Sequence, residues 1–135
     1  MGAWGHRNFE NDAALDFLAE FRQSPSEVAL VEALTIVVEM GEDEEYIDAD
    51  EAGAALVAAE LVAAARQCPA ADFPADVAPL LVALDTAEDE DLLELAQDAV
   101  AQVLRKSELQ KLWAENGEPN EWQAVQQDLL VRLAE

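Results

Sequence analysis

The sequence predicts an all-α fold, a single-domain irregular bundle of about six or seven helices around a central Ala-rich helix. Three observations carry this. From 52 to 65 every residue is Ala, Gly, Leu or Val except Glu60, and a helix apolar all round belongs inside a fold. Its alanines let neighbouring helices come close. Elsewhere, apolar residues recur at helical spacing between clear helix starts and stops, and no stretch shows the period-two alternation of a half-buried strand.

In chain order, Asn11 caps a first helix running to about Arg22, with Asp12 in the first turn where the helix dipole favours an anion. Ala14, Phe17, Leu18 and Phe21 share one face, while Asp12, Asp16 and Glu20 line another as a solvated edge. Ser24-Pro25-Ser26-Glu27 reads as a capping box with Pro at the first helical position. The helix it opens turns Val28, Val31, Leu34, Val37 and Val38 inward and stops at Gly41. Its β-branched run, Thr35-Ile36-Val37-Val38, imitates a strand, but length and the box decide for helix.

The stretch 41–51 holds seven acids in eleven residues. Asp48, Asp50 and Gly53 match positions one, three and six of an EF-hand loop, but Ala52 and Ala59 stand where two essential oxygens belong, so a calcium loop is rejected. A polar loop and the negatively charged start of the central helix are expected instead. After Cys68-Pro69, a short helix is expected over 75–84 with Val77, Leu80, Leu81 and Leu84 apolar, and Pro79 either in its first turns or splitting it. A second acidic run, 85–91, precedes a long helix to about Lys106 striped by Leu92, Ala96, Ala99, Val100 and Val103. Ser107-Glu108-Leu109 starts a short helix through Leu112 and Trp113, ended by Asn116-Gly117. The last helix runs over 120–134 with Trp122, Val125, Leu129 and Leu133 on one side.

The composition excludes several function classes. A chain of 135 residues, 52% apolar, forms one domain that buries roughly 68% of its unfolded surface. Its longest apolar run is too short to span a bilayer and carries Glu60. The N-terminus lacks the apolar core of a secretory signal, and His6 stands where a myristoylation signal needs Ser or Thr. Cys68, the one cysteine, allows no internal disulfide and no Cys-based zinc site. A cytoplasmic location fits these features.

The net charge is −23, from 30 acidic and 7 basic residues. No Lys or Arg occurs between Arg22 and Arg66, or between Arg66 and Arg105. Such a field repels nucleic acid and anionic lipid and attracts basic partners and cations. The alternative is that acidity keeps the chain soluble or adapts it to a salty cytoplasm, as its two lysines, Lys106 and Lys111, also suggest.

Glu60 is the sharpest single residue. No Lys or Arg lies three or four positions away on its helix, so an ion-pair partner comes from elsewhere. The candidate polar site is Glu60 with Trp4, Arg7 and Arg22. The backbone N–H groups over 2–5, the Trp4 indole N–H or Arg7 could donate to the carboxylate, and Arg22 is the other cation to consider. The structural reading is a satisfied polar anchor; the functional one is a site acid in a pocket. Glycines flanking Trp4 let the backbone turn tightly so that the ring staples the N-terminus to the core.

Catalytic stock is thin. His6 titrates near neutral pH, but one His beside Arg7 is no metal site. The only serines, Ser24, Ser26 and Ser107, sit where helix caps are expected, and no nucleophile elbow, phosphate loop or dinucleotide fingerprint appears. Carboxylate-only magnesium chemistry would join Glu60 to acids such as Glu39 or Asp16. Glu42 with Glu45 and Glu88 with Asp91 fall in acidic loops at the wrong separation for an all-α pyrophosphohydrolase. No catalytic residue, cofactor or metal ligand is assigned.

At Gly2-Ala3-Trp4-Gly5, at Phe9-Glu10-Asn11-Asp12 with Ala14 and Asp16-Phe17, at Ala58-Ala59-Glu60-Leu61-Val62-Ala63-Ala64, and at Ser107-Glu108-Leu109 with Leu112-Trp113, the chain resembles a mostly bacterial family, domain of unknown function 4259. The likeness covers nearly the whole length, and the N-terminal motif is its most specific part. Glu10 and Phe17 depart mildly from the Asp and Trp of the family pattern. What the resemblance implies is a small helical domain, with no activity attached.

The expectation from the residues is a non-enzymatic, immunity-like or regulatory interaction domain whose acidic surface binds a basic protein, with neither nucleic acid nor membrane as partner. The alternative is a small divalent-metal-dependent hydrolase with Glu60 in its site. The sequence sets no oligomeric state.

Overall fold

The structure is a computed structural model that describes residues 12–42, 47–66, 68, 73, 75–84, 90–107 and 121–134. Six helices are described: α1 Asp12–Gln23, α2 Glu27–Glu42, α3 Ala49–Ala65, α4 Ala78–Leu84, α5 Glu90–Lys106 and α6 Glu121–Ala134. Among the described residues there is no strand, only a lone parallel bridge between Ile47 and Ser107. The fold is all-α, a helical bundle.

The Ala-rich helix is the axis of the bundle. Every residue over 55–63 is buried, and α3 packs against each of the other described helices. A helix can be surrounded in this way only if its side chains are short enough for neighbours to approach on all sides, which is what alanine provides. Asp48 enters α3 in extended conformation, with φ −64° and ψ 151° and no side-chain cap bond. Its carbonyl accepts the first helical bond from Ala52 N–H at 2.9 Å. Helix thus runs through the positions a calcium loop would need, and Ala52 is fully buried.

Ala14, Leu18 and Phe21 of α1 are buried and Phe17 packs against them, while Asp16 and Glu20 are exposed. The junction to α2 differs from the expected capping box. Ser24 N–H donates to the Glu20 carbonyl at 3.0 Å, so Ser24 still belongs to the last turn of α1. The cap is Ser26, whose Oγ accepts from Val28 N–H at 3.1 Å, and Pro25 precedes α2 rather than opening it.

The inward face of α2 is also rotated from the expected one. Leu30, Leu34 and Val37 are fully buried, with Gly41 buried beyond them, while Val28 is 62% and Val31 36% exposed. Leu34, Val37 and half-buried Val38 agree with the sequence reading; Val28 and Val31 do not. Apolar residues surround this helix, so several faces satisfied the pattern, and packing against α3 and α5 selected one. Nor does α2 stop at Gly41. It continues to Glu42, and Gly41 serves close approach: a Cβ there would run into the Gln102 side chain.

The remaining helices follow their patterns. Pro79 is the second residue of α4, where a missing N–H costs no helical bond; Val77 accepts from Leu80 and Leu81 N–H at 3.0 and 3.3 Å. On α5, Leu92, Ala96, Ala99, Val100 and Val103 are all buried. Ser107 is buried at the end of α5. Its Oγ donates back to the Val103 carbonyl at 2.7 Å, finishing α5; the helix expected through Trp113 lies outside the described residues. On α6, Trp122, Leu129 and Leu133 are buried and Val125 is half-buried. Gln97 Nε2 donates to the Leu133 carbonyl at 3.2 Å, tying α5 to the end of α6. Among the described residues no helix is long and apolar enough to cross a membrane.

Candidate functional site

Glu60 lies in the middle of the buried face of α3 and is 1% exposed. A carboxylate so placed has lost its water, and an unpaired one would be costly to keep charged. Its partner is Arg132, in the last turn of α6. Arg132 Nη1 donates to Glu60 Oε1 at 2.8 Å and Nη2 to Oε2 at 3.2 Å, a fork that satisfies both oxygens at once.

Other N–H groups of the guanidinium are also engaged. Its Nη1 donates to the Cys68 carbonyl at 3.2 Å, and its Nε donates to Asp128 at 2.8 Å, one turn back on α6. The Arg132 side chain is only 12% exposed, whereas that of Asp128 is 67% exposed. Burial pulls the guanidinium below its ordinary value, but the hydrogen bond and charge of Glu60, followed by those of Asp128, more than offset this and hold it above. The arrangement joins three parts of the chain: the middle of α3, the turn after it and the C-terminal turn of α6. Chemically it is a clamp, in which the acid accepts from a cation that cannot give up its proton.

Of the cations expected beside Glu60, the one among the described residues is engaged elsewhere. Arg22 pairs instead with Asp76, at 2.7 Å from Nε and 3.3 Å from Nη2, on the exposed side of α1. The hydrogen bond from Arg22 holds the Asp76 carboxyl below the usual carboxylate range, against the smaller opposing effect of desolvation. Trp4 and Arg7 lie outside the described residues. Glu39 and Asp16, the acids considered for magnesium chemistry, are exposed, whereas Glu60 is buried. Among the described residues, no group of three or more His, Cys, Asp and Glu side chains could hold a metal ion.

The sequence held one signal for Arg132. Positions 122, 125 and 129 continue to 132 at the spacing of one helix face, so the arginine falls on the apolar seam of α6. It is also one of only seven cations in the chain.

A separate open cleft of about 410 Å³ lies between α1 and the start of α3, lined by Ala13, Asp16, Phe17, Glu20, Asp50 and Ala54. Its three carboxylates belong to exposed residues and remain hydrated.

In comparisons with known proteins, residues 2–125 match the family model described as Domain of unknown function (DUF4259). No curated protein and no solved structure matches the chain.

Proposed function

Because the chain belongs to the family of domain of unknown function 4259, which brings no activity with it, we propose a function from the surface the chain presents: a non-enzymatic, cytoplasmic interaction domain, immunity-like or regulatory, that binds a basic protein partner. The observation that carries this reading is the net charge of −23, together with where the charges lie. Asp16, Glu20, Glu32, Glu39, Asp50, Glu90, Asp91, Glu94 and Asp98 all point to solvent. Two of the few cations are spent within the chain, Arg22 on Asp76 and Arg132 on Glu60 and Asp128. The resulting field accelerates encounter with a basic surface and opposes nucleic acid and anionic lipid. Glu60, the acid on which a carboxylate-dependent hydrolase would turn, is engaged by Arg132 through both oxygens.

The test is recovery of a basic protein on the immobilised full chain at low salt. Its release above about 0.5 M salt, where exposed charges are screened, is the expected result. Retention through high salt would remove the electrostatic basis of the proposal. So would calorimetry showing one tight stoichiometric site for magnesium, manganese or calcium, which would point to the hydrolase instead.

A further inference from the structure

We propose that the outer face of α2 is the docking surface for the partner, and that the partner presents a cationic amphipathic helix to it. This rests on the basic-partner reading above and assigns it a surface. Among the described residues, the large hydrophobic side chains most open to solvent are Leu15, Val28, Val31, Ile36 and Val131. Three of these five are on α2: Val28 at 62%, Ile36 at 44% and Val31 at 36%. Val28, Glu32 and Ile36 form one row along the helix, four residues apart; Val31, Thr35 and Glu39 form the adjacent row. The face therefore interleaves aliphatic side chains with exposed carboxylates.

Charge complementarity selects the occupant. No Lys or Arg occurs between Arg22 and Arg66, so α2 offers carboxylates and aliphatics with no cation among them. A second copy of this chain would set Glu32 and Glu39 against their own kind. A lipid-binding surface helix carries Lys and Arg on its polar side, and α2 has none. A helix with aliphatic residues along one stripe and Lys or Arg beside it meets both needs at once: its stripe covers Val28, Val31 and Ile36, and its cations reach Glu32 and Glu39.

The test uses the full chain and two synthetic Leu/Lys peptides of identical composition, one patterned as an amphipathic helix and one scrambled, with binding followed by fluorescence anisotropy. The expected result is about tenfold tighter binding of the patterned peptide, a margin that burial of a few methyl groups supplies. Val28→Ser with Val31→Ser should erase that margin while leaving the scrambled peptide unchanged. Glu32→Gln with Glu39→Gln should weaken the patterned peptide and flatten its salt dependence. These positions are exposed, and circular dichroism verifies that the variants stay helical; Ile36→Ser alone provides a milder check. Equal affinity for the two peptides, or a margin untouched by the serine variants, overturns the α2 surface while leaving the basic-partner reading in place. Failure of both peptides to bind at low salt overturns both. Self-association that depends on Val28 and Val31, seen by sedimentation, would assign the face to a second copy and overturn the proposal.

Discussion

Arg132 grips Glu60 with two hydrogen bonds, of 2.8 and 3.2 Å, across 72 residues of sequence. The pair connects the most buried helix of the bundle to its last one. Its energetics are asymmetric: a buried pair adds little over a well-packed apolar substitute, but removing one partner takes a charge-assisted bond from the other where water does not replace it.

Arg132→Met should therefore destabilise the fold by about 3–5 kcal/mol, since it takes the guanidinium from a buried carboxylate, and Glu60→Leu by less, since Arg132 keeps Asp128 and the Cys68 carbonyl. The double variant should recover most of that loss. Chemical denaturation of the four proteins measures it, and additive single losses would show that the two residues do not act as a clamp.

Gly41 and Gln102 should be coupled. A Cβ at 41 would lie within 3 Å of the Gln102 Cγ, Cδ and Oε1 atoms, so Gly41→Ala forces that side chain aside. With Gln102→Ala already in place, the same substitution should be neutral or stabilising, because Ala exceeds Gly in helix propensity by about 1 kcal/mol. The expected interaction energy is about 1–3 kcal/mol in a double-mutant cycle; a value near zero would mean that α2 and α5 can separate freely at this point.

The exposed pair of Arg22 and Asp76 predicts the direction of a pH effect. The folded-state value of Asp76 is depressed, so the folded state binds its proton less readily than the unfolded chain does. The stability it contributes is present above the ordinary carboxylate value of 3.8 and is lost as pH falls through the depressed folded value. In Arg22→Gln the Asp76 titration, followed by carboxyl NMR, should move upward. An unchanged midpoint would leave the depression without its main cause.

The rotated face of α2 separates two residues of similar chemistry. Leu30→Ala should cost about 2–5 kcal/mol, as for a buried leucine, while Val28→Ala, at an exposed site, should stay within about 0.5 kcal/mol. Thermal or urea unfolding distinguishes them, and equal losses would place Val28 back in the core.

Local rules sufficed where one arrangement alone satisfied them. The apolar stripe of α5 had a single face to bury, and the Ala-rich stretch could be nothing but interior, so the all-α class and the central helix were legible from residue order. Around α2 apolar side chains occur on every side, and only the positions of α3 and α5 decided that Leu30, rather than Val28, goes in. The same holds at Ser24 and Ser26, both plausible caps, between which the backbone path out of α1 chose. For Glu60, burial was readable but the pairing with Arg132 was not: no neighbour within a helical turn carries charge, and that pairing depends on the packing of α6 against α3. Residue order set which side chains needed a partner or a dry environment, since these are properties of the groups themselves. Tertiary structure alone decided which distant group met each need, because that depends on where separate helices come to rest against one another.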